Sequence, residues 1–132
     1  MNRQVDTAGL FLVVLLGSFL PDIDHIFFMF FYGRNTEYAR KEREFMFAGK
    51  WKELIDFGKK NHKSNTFILS HNLLTPVLFG WLAWISAGNG NWIWTGFWGA
   101  MQMHFVFDIL EDWLYFGRLN GNWWFRYGKK AA

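Results

Sequence analysis

Cysteine is absent from the 132 residues, which excludes disulfides, thiolate metal sites and a thiol nucleophile. Proline occurs only at Pro21 and Pro76, so each marks a place where a helix is interrupted or begins. Positive charge is missing from three long stretches, 8–32, 66–87 and 92–116, none of which contains a Lys or Arg. What fills them is apolar and aromatic. At 52% hydrophobic and 22% aromatic, the chain exceeds what a soluble domain of this length needs. Its mean hydropathy is near zero because the three apolar runs are averaged with one highly charged connector.

These runs predict one all-α integral-membrane domain with about three transmembrane helices, over 8–32, 66–87 and 92–116. A run of 25 residues at about 1.5 Å each is enough to cross a hydrocarbon core of about 30 Å. A cleaved signal peptide is the rival reading of the first run. It is disfavoured because no small-x-small cleavage pattern follows and the apolar character resumes through Ile26 to Phe31. Pro21 predicts a kink or break in this first helix.

The connector, 33–65, holds nine Lys/Arg and five Asp/Glu. Asn35 or Thr36 is placed to cap a helix with Glu37 in its first turn. Gly49 predicts an interruption, and Gly58 followed by Lys59 and Lys60 predicts a stop. Phe47, Trp51, Leu54 and Ile55 form an amphipathic stripe, which suits either the membrane interface or packing on the rest of the chain. His62 reads as a surface histidine. Ala87 to Asn91 is a tight uncharged turn, and Gly96 and Gly99 are candidates for close helix contact. The tail, 117–132, is basic, with Trp123 and Trp124 as candidate interface anchors.

Connector and tail together hold 13 of the 14 Lys/Arg. Three spans put both on one side, which the positive-inside rule makes cytoplasmic and which leaves the N-terminus outside. A net charge of +3 is accounted for by this orientation, so nucleic acid is not an expected partner; the lipid bilayer is.

The apolar runs exclude bases but not acids. Three of the four His and five of the eleven Asp/Glu lie within them. Ionisable residues at membrane depth are costly and face a protein interior, where they pair, bind ions or relay protons. Asp22, Asp24 and His25 follow Pro21. Ser70-His71-Asn72 opens the second run, and His104 and Asp108 share a helix face in the third. Glu111 and Asp112 continue toward the end of that run, where they are expected to be solvated.

Pro21-Asp22-Ile23-Asp24-His25, Ser70-His71-Asn72-Leu73-Leu74 and His104-Phe105-Val106-Phe107-Asp108 resemble, in order and placement, the successive motifs of the YdjM-like inner-membrane family, described as membrane-bound metal-dependent hydrolases. The chain departs from the family pattern in having Thr66-Phe67-Ile68 where the family has His-Arg-Gly, and Ile109-Leu110-Glu111 after the last Asp. The resemblance implies a divalent metal, with zinc first and manganese or iron as alternatives. The ligand candidates are Asp24, His25, His71, His104 and Asp108, with Asp22 orienting an imidazole or acting as general base. A membrane-accessible ester or phosphoester is the implied substrate.

Other readings stay open at this level. The Pro-Asp-x-Asp element is also a helix break whose carboxylates cap amides, and His104 with Asp108 is also an internal hydrogen-bonded pair. A non-catalytic accessory subunit of a larger membrane assembly, a homo-oligomer, and a proton or ion pathway are alternatives to the enzyme.

Overall fold

The computed structural model of the protein describes residues 6–61 and 68–125. His62, the Thr66-Phe67 dipeptide and the tail from Arg126 onward lie outside the described residues. Among the described residues every regular element is helical.

Helix α1 (Thr7–Phe19) ends where Pro21 removes a backbone donor, and Leu20–Asp22 tighten into a 3₁₀ turn. The short α2 (Ile23–Phe27) follows, then a wide π turn over Phe28–Tyr32. Its last bond runs from the Gly33 amide to the Phe28 carbonyl, 2.9 Å. Among the described residues this stretch, Thr7–Tyr32, is the one helical run long and apolar enough to cross a bilayer. Only 11% of its most apolar window is buried inside the protein, which is not how a globular core helix sits. Phe11, Leu16 and Phe19 are each at least 60% exposed, an apolar surface that water does not favour.

The other apolar segments give helices α5 (Leu74–Gly88) and α6 (Trp92–Phe116). At 15 residues, α5 is about 22 Å long and falls short of a full hydrocarbon core. With 25 residues α6 is long enough, but Asp108, Glu111 and Asp112 dilute its apolar character. Helix α5 starts later than the apolar run because Asn72 stops it: its side-chain oxygen accepts from the amides of Leu74 (3.0 Å) and Thr75 (3.2 Å), with Pro76 in the first turn. Asn91 caps α6, accepting from the Trp94 amide, and Gly117 closes it in the left-handed region at φ 65°.

The chain forms two compact units. One contains the residues up to Asp22 with His71–Leu119, and so α1, α5 and α6. Here α6 packs on both α1 and α5. At Gly17 a Cβ would lie 2.6 Å from the Phe97 carbonyl oxygen, so the two backbones touch. Of the two glycines expected to make close contact, Gly96 does, under Leu10 and Val14, whereas a Cβ on Gly99 would meet nothing within 4 Å. On the α5 side Phe79 stacks between Trp98 and Phe105, at 5.8 and 5.9 Å between ring centroids.

The other unit contains Ile23–Ser70 and the residues from Asn120. Thr36 caps α3 (Glu37–Phe47), its hydroxyl oxygen accepting from the Ala39 amide at 3.2 Å. Gly49 turns the chain at φ 67° into α4 (Trp51–Asn61). The small core is Phe28, Ala39 and Ile68, with Gly33 lying directly against the Phe28 ring. Arg43 donates to the carbonyls of Met29 and Arg34, tying α3 to the π turn.

Two expectations are corrected in this unit. Gly58 does not end its helix, which runs on to Asn61; a single glycine with favourable neighbours costs only about 1 kcal/mol. Trp123 is not an interface anchor. It is 2% exposed, in a 3₁₀ turn, Gly121–Trp124, capped by the Asn120 side chain; its neighbour Trp124 is the exposed one. Of the predicted stripe, Leu54 is half-buried and Phe47, Trp51 and Ile55 are exposed. The contact with α3 comes from Phe57, outside the stripe, which packs on Tyr38 and Phe45.

Candidate metal centre

Within the unit built from α1, α5 and α6, three segments deliver acceptors to one point. The helical spacing of four stacks Asp108 one turn beyond His104, and their Nε2 and Oδ2 atoms are 3.3 Å apart. His71 comes from the irregular segment that Asn72 holds ahead of α5, and its Nε2 lies 3.1 Å from the same Asp108 oxygen. Asp22, at the end of the Pro21 turn, places Oδ1 3.4 Å from His104 Nε2. His71 is buried and packs edge-on against Phe105 at 5.2 Å.

The tautomer of His104 is set from behind. Its Nδ1 lies 2.7 Å from the Ser18 carbonyl oxygen, and only a protonated nitrogen can make that contact. The lone pair of neutral His104 is therefore on Nε2, which points at the carboxylates. Both Nε2 of His104 and Oδ2 of Asp108 are buried without a hydrogen-bond partner. Buried polar atoms are seldom left so.

Either a proton on His104 Nε2 or a divalent cation would satisfy these atoms. Donor atoms of His71, His104 and Asp108 all lie within 4.8 Å of one another. Bonds of about 2.0–2.2 Å in a tetrahedral array put ligand atoms roughly 3.3–3.6 Å apart, close to the 3.1 and 3.3 Å that separate Asp108 Oδ2 from the His71 and His104 nitrogens. An Nδ1–H bonded to a backbone carbonyl is the usual outer support of a metal-ligating histidine. The donor set fits.

Of the residues singled out from the sequence, the structure brings together Asp22, His71, His104 and Asp108. Asp24 and His25 belong to the other unit. There the Asp24 carboxylate accepts from the Ser70 amide at 2.6 Å and from the Tyr32 hydroxyl at 2.7 Å. Tyr32 in turn accepts from the Leu69 amide at 3.3 Å. His25 sits half-buried in α2. Asp112 is 2% exposed rather than solvated, because it shares its helix face with Phe105, seven residues back, whereas Glu111 faces outward.

Sequence reasoning missed Ser18 and Tyr32. Ser18 acts through a carbonyl, which no side-chain pattern reveals. Tyr32 reaches Asp24 because of the π turn, for which no composition signal exists.

A helical protein that meets lipid along an apolar helix and gathers imidazole and carboxylate donors beneath its surface belongs to a recognisable class, the membrane proteins with a candidate internal metal site. The chain belongs to the YdjM inner membrane protein family, whose model matches residues 2–117. No curated protein and no solved structure matches it. The inner membrane, and association with its lipid, follow from the family.

Proposed function

We propose that the protein is a multi-pass inner-membrane metallohydrolase acting on a membrane-accessible ester or phosphoester, with its N-terminus outside and its C-terminus in the cytoplasm. One observation carries the reading: His71, His104 and Asp108 converge while His104 Nε2 and Asp108 Oδ2 stay buried and unsatisfied. His71, His104 and Asp108 would hold the ion, with zinc first and manganese or iron as alternatives. Bound there, such an ion polarises an ester or phosphoryl oxygen and lowers the pKa of water. Ser18 fixes the His104 ring through its carbonyl. Asp22, the most exposed member with 56% of its side chain accessible, would take a proton from an incoming water. Asp24 and His25, also ligand candidates by sequence, are left out of the proposed set because they stand in the other unit.

The test is elemental analysis of protein purified in mild detergent, alongside hydrolysis of bis(4-nitrophenyl) phosphate. Near one equivalent of metal, with turnover lost in His104→Ala, supports the enzyme. One equivalent with background turnover supports instead an accessory subunit with a structural ion. No metal makes the cluster a hydrogen-bonded or proton-linked network.

A further inference from the structure

Leading away from His104 and Asp108 is a slot between α1 and α6, of about 590 Å³, within the usual range of small-ligand sites, roughly 300–1,000 Å³. Its polar end holds Ser18, His104 and Asp108, and its far end holds Thr95 and Gly96. Between them the α6 wall is Gly99, Ala100, Met103 and Phe107, a row at helical spacing, together with Gln102. Gly99 borders open space in the slot, where an added Cβ would meet nothing within 4 Å. It is open along one side, since Met103 and Phe107 are 47% and 63% exposed on a surface that faces lipid.

Its shape selects a ligand. From Thr95 to Asp108 α6 rises about 20 Å, enough to lie alongside an extended hydrocarbon chain. The lining offers dispersion contact along its length and ionisable groups at one end only; Thr95 at the far end gives its hydroxyl to the Asn91 carbonyl, and Gln102 is the one amide side chain between. We infer that this slot is the substrate's tail site: it takes one acyl or prenyl chain from the bilayer, entering sideways past Met103 and Phe107, and brings the ester or phosphoester at its head to His104 and Asp108. The inference rests on the hydrolase reading for the head and on the slot's own geometry for the tail.

The two can be tested apart. Purified protein in detergent is incubated with a phosphatidylglycerol carrying a diazirine at the end of one acyl chain, irradiated, and the labelled residues are mapped. Zinc content is measured in parallel. Labelling is expected at the far end, between Thr95 and Ala100, and on Val14 of α1. Gly99→Leu, which fills the slot, and Met103→Trp, which blocks its open side, are each expected to lower that labelling at least tenfold, with zinc content unchanged. Labelling that persists in both variants, or that falls only on Phe11, Leu12 and Leu16 of the outer α1 surface, overturns the tail site whatever the zinc content. Lost labelling in the variants upholds it even when bis(4-nitrophenyl) phosphate is not hydrolysed, a result that would count against the hydrolase reading alone.

Discussion

His104 Nδ1 lies 2.7 Å from the carbonyl oxygen of Ser18, the residue beside the glycine at which α1 and α6 touch. The contact assigns the proton to Nδ1 and turns Nε2 toward Asp108 and His71. Removing either His104 or Asp108 leaves two donors, too few to hold an ion firmly. In His104→Ala and Asp108→Ala, zinc by elemental analysis is expected to fall from near one equivalent to under a tenth. Full occupancy in both would place any bound ion elsewhere.

Gly17 governs the same geometry indirectly. A valine there would meet the Phe97 carbonyl and Ala100, pushing α1 away from α6 and taking the Ser18 carbonyl with it. Loss of such outer support commonly costs a metal site 10–100-fold in affinity. A chelator competition with Gly17→Val is expected to show a loss of that size, with stoichiometry restored at saturating zinc. Unchanged affinity would mean that Ser18 does not orient the ring.

Asp24 is expected to behave differently from the cluster. Its two oxygens are engaged by the Ser70 amide and the Tyr32 hydroxyl, so Asp24→Asn exchanges a charge-assisted acceptor for an amide. A loss of about 1–3 kcal/mol is expected, seen as a lower melting temperature, with one equivalent of zinc retained. Complete loss of zinc without a change in melting would instead make Asp24 a ligand.

Glu42 in α3 gives a pH signature outside the apolar segments. Burial pushes its carboxyl up from the ordinary value, partly offset by the Tyr38 hydroxyl. A folded pKa above the unfolded one means that folding favours the protonated form. That stability is fully present below the unfolded pKa and is lost as pH rises through the raised folded value. Glu42→Gln is therefore expected to melt higher than the parent near neutral pH, with the difference vanishing as pH falls to about 4. A constant difference across that range would refute it.

Much of the local chemistry could be read before any coordinates. The absence of Lys and Arg from the apolar runs, the break at Pro21, the Thr36 cap and the Gly49 turn all follow from strong one-residue effects. His71, His104 and Asp108 were legible as donors because acids and imidazoles stand out among Phe and Leu. Their company was less so. Asp24 and Asp22 are two residues apart with the same chemistry, and only the backbone around Pro21 separates their roles. Asp112 and Glu111 are equally ambiguous until helix phase relative to Phe105 is known. Asn72 and Pro76 together did spell the start of α5, a signal outweighed by the apolar residues that precede them. Gly99 resembles Gly96 in sequence, and which of the two faces a neighbour depends on where α1 lies.

The π turn at Phe28–Tyr32 has a consequence for how the family should be compared. One ordinary helical turn followed by one wide turn amounts to about eight residues, the interval from Asp24 to Tyr32, and so the hydroxyl arrives beneath the carboxylate. Eight residues wound as a regular helix would carry the tyrosine about 80° off the Asp24 face, whereas a family member shorter by a single residue here would form a regular helix of seven residues and keep its tyrosine within about 20° of that face. Segment length and helix type are then inherited together, and an alignment gap of one position would record the loss of the π turn with the clasp retained.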